Sequence, residues 1–232
     1  MSKSRLAFVF LILVALFSFA GRGVAQAQQQ FVVVYIEFKP ADAKAGSGVL
    51  TDLASLALAT PGVVRFDVLQ QIDRRNFFAL LETWSSAQSL TDFEASSSIQ
   101  AIVTRLMPLL ETPLDERDGN LLTGTVVPRV RHAEARQIFV ITHVDVDPQF
   151  VPQASPLLNT FVSDSLNDPD VQTFALLSQT PTANHFQLVE TFASLKAFDA
   201  HVSTQHTVDF RTAIQPFLGA PYDERLYQFV SQ

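Results

Sequence analysis

From residue 31 onward, short apolar runs alternate with polar breaks, and each run has its own period. Residues 31–38 (FVVVYIEF) are β-branched and aromatic and stop at Pro40, which predicts a strand. Residues 47–60 carry Val49, Leu50, Leu53, Leu56 and Leu58 at helical spacing and end at Pro61-Gly62, an amphipathic helix with a stop signal. Residues 63–71 and 76–84 form two further strands around the polar turn Asp73-Arg74-Arg75. Ser85 or Ser86 then caps a helical stretch to about Leu110, interrupted where small residues cluster at 95–98, and residues 114–122 give a last strand. The predicted order is β-α-β-β-α-β, the ferredoxin-like unit.

The same pattern then returns at a constant offset of 108. Aligning residues 31–117 with 139–225 gives 25 identities in 87 positions, against roughly one in twenty expected by chance. Along the third strand the repeated residues fall mainly on one parity: 76, 78, 80 and 82, then 184, 186, 188 and 190, with an aromatic residue at 84 and 192 and Thr83/Thr191 the one repeat of the other parity. Retention with period two marks one face, the one expected to meet the helices, and it carries Glu82 and Glu190 between apolar neighbours. The opposite sheet face of each unit would stay wet unless the units packed together. The predicted fold class is therefore α+β: two ferredoxin-like repeats, 28–117 and 137–232, packed sheet to sheet as an intramolecular dimeric α/β barrel, with 118–136 as linker. Whether this pseudo-dimer pairs again is left open.

Residues 1–27 change the picture of where the chain works. Lys3 and Arg5 precede an apolar run from Leu6 to Ala20, and Ala25-Gln26-Ala27 offers a signal-peptidase site, so an exported mature chain is expected, with no membrane contact after cleavage; an uncleaved N-terminal anchor is the alternative. Cleavage there removes Lys3, Arg5 and Arg22 and leaves 13 basic against 23 acidic residues, a net charge of 13 − 23 = −10. An acidic chain without a basic stretch argues against nucleic acid as partner. With no cysteine there is no disulfide framework, thiolate metal site or thiol nucleophile. Eight glycines and no glycine-rich phosphate loop argue against a nucleotide cofactor.

The Pro-x-Val-x-x-Phe stretches at 61 and 169, the Phe-x-Leu-x-Glu-Thr-aromatic strands ending at Trp84 and Phe192, and Phe198-x-x-His201-x-x-x-x-His206-x-x-x-Phe210 together resemble the antibiotic-biosynthesis monooxygenase family. The resemblance covers residues 31–117 and 139–229. It implies a dimeric α+β barrel and, in its quinol-monooxygenase and anthrone-oxygenase members, oxidation of a small aromatic substrate by O2 without metal or organic cofactor. Related folds also include proteins without catalysis and haem degraders; at the expected haem-ligand position this chain has Glu94 and Val202, which disfavours haem.

On that resemblance His201 is the expected base. Asn184, His143 and His206 would orient the substrate, in a cavity lined by Phe174, Phe186, Phe192, Phe198 and Phe210. Asn76 and Trp84 are the first-repeat counterparts. Ordinary alternatives stand beside each: a helix or strand histidine bonded to a neighbour, a turn-forming asparagine, a core tryptophan. In the first repeat Phe93 and Ser98 replace His201 and His206, so the functional pocket is expected in the second. Five residues on one helix turn His201 and His206 roughly 140° apart, which argues against a shared metal. The Asp-Glu-Arg triplets at 115–117 and 223–225 are expected to pair reciprocally near the pseudo-two-fold axis.

Overall fold

A computed structural model describes residues 28–125, 136–180 and 182–230. The leader expected over 1–27 and most of the expected linker lie outside them. The first repeat runs β1 (Gln30–Glu37), α1 (Ala43–Leu58), β2 (Val63–Gln71), β3 (Phe77–Trp84), α2 (Ala87–Glu94), α3 (Ser97–Leu106) and β4 (Asp115–Gly124). The second runs β5 (Ile138–Asp145), α4 (Val151–Ser165), β6 (Val171–Gln179), β7 (His185–Phe192), α5 (Leu195–Val202), α6 (Gln205–Ile214) and β8 (Asp223–Phe229). β4 continues to Gly124, so residues 118–124, expected in the linker, belong to the barrel wall.

The eight strands close into an antiparallel barrel in the order β1-β3-β2-β8-β5-β7-β6-β4. Each repeat contributes its own four-strand sheet, and the last strand of each forms the seam to the other. β4 pairs with β6 through Gly119↔Gln179 to Gly124↔Ala175, and β8 pairs with β2 through Leu69↔Phe229 to Gln71↔Tyr227. The first seam depends on Gly124: at φ 102° its missing Cβ would stand 2.1 Å from the carbonyl oxygen of Phe174.

Strand parity sorts the side chains as the repeat pattern predicts. Phe78, Leu80 and Trp84 join α1, α2 and α3 in one helix-side core, and Phe186, Leu188 and Phe192 join α4, α5 and α6 in another. The other parity fills the barrel, where Phe31, Val33, Leu81, Phe139, Ile141 and Val189 of both repeats share one apolar interior. Each such side chain contributes about 1.5–3 kcal/mol on burial, so closing the barrel is what makes either half stable.

In both repeats the helical stretch after the third strand is two short helices. Ser86 and Ser194 cap the first, accepting from Ser89 N and Ala197 N; Ser96 and Thr204 cap the second, accepting from Ile99 N and Thr207 N. The break expected at 95–98 therefore has a twin at Ser203-Thr204.

Candidate functional site

That second break decides the geometry of the histidines. His201 sits on α5 and His206 on α6, so they do not share one helix axis, and the 140° separation expected from their spacing does not hold. Their ring centroids are 5.8 Å apart. Asp168, in the turn between α4 and β6, lies between them: its Oδ2 is 2.7 Å from Nδ1 of His201 and 3.2 Å from Nε2 of His206. His201 is 3 % exposed. The rings of Phe161, Phe174 and Phe192 surround it at 5.7, 5.6 and 5.2 Å.

Burial lowers the pKa of His201 below its ordinary 6.5, and the hydrogen bond and charge of Asp168 oppose that shift without cancelling it. At neutral pH the ring is therefore neutral. With its proton on Nδ1 facing the carboxylate, Nε2 keeps a lone pair. A cleft of about 180 Å³ opens beside the pair, bordered by Asp168, Ser194, Lys196, Ala197, Ala200 and His201. An apolar cavity of about 150 Å³ accommodates benzene, so the space suits a single ring.

The remaining expected residues are not gathered here. Phe174, Phe186, Phe192, Phe198 and Phe210 all lie in the second helix-side core, but Phe210 stacks on Phe161 at 4.0 Å, and together the rings fill the space rather than line a chamber. Asn184 donates from Nδ2 to Val146 O at 2.8 Å, and Asn76 donates likewise to Phe38 O at 3.1 Å. Both amides clamp the end of the neighbouring strand, the turn-forming alternative, and point at no ligand space. Trp84 is fully buried in the first repeat, its ring 4.6 Å from that of Phe93, the residue standing where the second repeat has His201.

His143 is on the other side of the wall. It shares parity with Phe139 and Ile141, faces the barrel interior, and contacts Tyr35 at 5.1 Å between ring centroids. Arg117 donates from Nη1 to its Nδ1 at 2.8 Å. Burial, reinforced by Arg117 and Arg225, lowers its pKa to about 4. The triplet arginines do not exchange partners across the axis as expected: Arg117 pairs with Asp115 and Arg225 with Asp223 on their own strands. Residues two apart on a strand share a face, so each arginine meets its own aspartate first.

A family model described as antibiotic biosynthesis monooxygenase matches residues 30–105 and, separately, 137–213. The chain belongs to the antibiotic biosynthesis monooxygenase family. No curated protein matches the sequence. Among solved structures, a candidate monooxygenase from Fusobacterium nucleatum is 13 % identical, with a TM-score of 0.78 over 88 % of this chain and 94 % of its own. Another from Lactobacillus acidophilus is 13 % identical, with a TM-score of 0.70 over 87 % and 94 %. An anthrone oxidase-like protein is 11 % identical, with a TM-score of 0.67 over 89 % and 93 %. At these identities the neighbours establish the fold, and the family match establishes a monooxygenase-type function at family level.

Both family repeats carry a buried glutamate at the same place. Glu82 accepts from Trp84 Nε1 at 2.9 Å; burial raises its pKa to about 8, the tryptophan bond opposes this, and Glu116, Glu94 and Asp118 add to the rise. The pKa of Glu190 is likewise raised well above its ordinary value, first by burial and then by Glu224, with Arg211 opposing. Asp168 is the candidate site residue that the sequence alone did not point to. A signal was present: its partner at offset 108 is Thr60, so Asp168, His201 and His206 face Thr60, Phe93 and Ser98 as a set.

Proposed function

We propose that this chain is an exported, cofactor-independent monooxygenase that oxidises a single-ring phenol or hydroquinone with O2 at the Asp168–His201 pair of the second repeat. The observation that carries this reading is the pair itself: a neutral, buried imidazole fixed by a carboxylate at 2.7 Å beside a cleft of single-ring size. Nε2 of His201 takes the phenolic proton, and Asp168 stabilises the imidazolium that forms. The phenolate gives one electron to O2, and the phenoxyl and superoxide radicals combine at a ring carbon. The peroxide then takes back the proton held by His201; its O–O bond breaks as the hydrogen on that ring carbon leaves, the two departing as water and leaving a carbonyl, so one O2 is consumed per substrate and one water is released. Export is proposed from the leader pattern over 1–27; the acidic, cysteine-free mature chain is compatible with it.

A second reading, a small-molecule-binding protein without catalysis, is favoured by the first repeat, where Phe93 and Ser98 stand in place of His201 and His206. An oxygen electrode with a panel of hydroquinones and phenols separates the two. The oxygenase consumes O2 one to one with substrate, whereas a binder perturbs Asp168 and His201 resonances and leaves O2 untouched.

A further inference from the structure

The break between α5 and α6 brings three metal-ligating side chains to one point. One ligand atom from each of Asp168, His201 and His206 lies within 4.8 Å of the others, with Asp168 Oδ2 next to both His201 Nδ1 and His206 Nε2. We propose that these three residues form a divalent-metal site of the zinc class, open on its fourth side toward the cleft, and that an ion there switches off His201 as a base.

Two imidazoles and a carboxylate are a donor set that suits zinc, and three protein ligands leave one position for water. With metal–ligand bonds of about 2.0–2.1 Å, tetrahedral ligand atoms stand about 3.3 Å apart. The His206–Asp168 separation of 3.2 Å already matches, and the His201–Asp168 separation of 2.7 Å needs a small opening. Asp168 sits in a turn rather than within a helix or strand, where such an adjustment costs little. The site is confined to one half of the molecule: the first repeat has Thr60, Phe93 and Ser98 at these positions, none of them an imidazole or a carboxylate. The other histidine–carboxylate approach, His185 Nδ1 to Asp145 Oδ1 at 3.5 Å, gathers no third ligand among the described residues.

The switch follows from the tautomer. An ion bound to Nδ1 uses that nitrogen's lone pair, so the ring proton moves to Nε2, the atom the proposed base requires bare. This part rests on the base role of His201; the binding part does not.

The test uses the mature chain after chelator treatment, titrated calorimetrically with zinc chloride. One ion per chain is expected, with Asp168→Asn and His206→Asn each weakening binding by about 10-fold or more, the least that a lost ligand should cost, and His185→Asn binding as the parent does. In the unaltered protein, nitrogen NMR of the rings should show zinc moving Nδ1 of His201 and Nε2 of His206 while His143 and His185 stay in place, a readout that holds even where a variant fails to fold. Ring signals indifferent to zinc, or binding that survives both substitutions, would overturn the site. Zinc seated on those nitrogens with hydroquinone turnover unchanged would overturn the switch. Zinc seated there in a protein that consumes no O2 at all supports the site and counts against the oxygenase reading.

Discussion

Replacing Glu82 by glutamine should stabilise the protein by about 1 kcal/mol at pH 5 and by about 4 kcal/mol at pH 8. Glutamine keeps an oxygen to accept from Trp84 Nε1 and has no charge to bury. The glutamate's pKa rises from its ordinary 4.5 to about 8 on folding. Because the folded value is the higher, the unfolded chain releases this proton first, and stability is full below 4.5 and lost as pH climbs toward 8. That rise corresponds to about 5 kcal/mol when complete. Linkage between those two pKa values places about 1 kcal/mol of that loss at pH 5 and about 4 kcal/mol at pH 8. Urea unfolding followed by the fluorescence of Trp84, the chain's one tryptophan, reads this directly because the probe touches the titrating group. A Glu82→Gln variant whose stability relative to the parent is the same at pH 5 and pH 8, or which is weaker than the parent at pH 8, would refute the burial argument.

Further outcomes follow from the rest of the structure. His143, lowered to about 4, should titrate near that value by NMR, and its depressed folded pKa should cost stability as pH falls from 6.5 toward 4, opposing the Glu82 limb. A His143 signal titrating near 6.5 would contradict its place beside Arg117. Gly124→Ala should destabilise by about 1–3 kcal/mol, because a positive φ and a clash with Phe174 O act together; equal stability would mean that the β4–β6 seam is not held there. Asp168→Asn should lower kcat by about 10-fold or more and move the acidic limb of kcat/KM to lower pH, since Asp168 raises the pKa of His201; an unmoved limb would detach Asp168 from the base.

The fold was legible because it is written twice. Period-two retention along the third strand assigned Phe78, Leu80 and Trp84 to the helix side, where they lie. The site was less legible, for three physical reasons. Small residues cluster at 95–98 and mark the first helix break, whereas Ser203-Thr204 stands in no such cluster; read as one helix, that stretch holds His201 and His206 apart. His143 was placed with His201 although its parity with Phe139 and Ile141 turns it into the barrel. Asp168 has no motif around it, and its meaning appears only when α4, α5 and α6 converge. The asparagines repeat because strand ends repeat: each clamps a carbonyl in its own half.

The central claim is that one functional site exists, in the second repeat, on His201. The measurement that tests it most directly is O2 consumption with a turned-over hydroquinone by three proteins: the parent, His201→Ala, and Phe93→Ala at the matching position of the first repeat. A loss of about 100-fold or more is expected for His201→Ala, the span of a general base. Near-parental turnover is expected for Phe93→Ala, whose cost falls on stability through lost packing against Trp84. Equal losses from the two substitutions, or full turnover by His201→Ala, would contradict it.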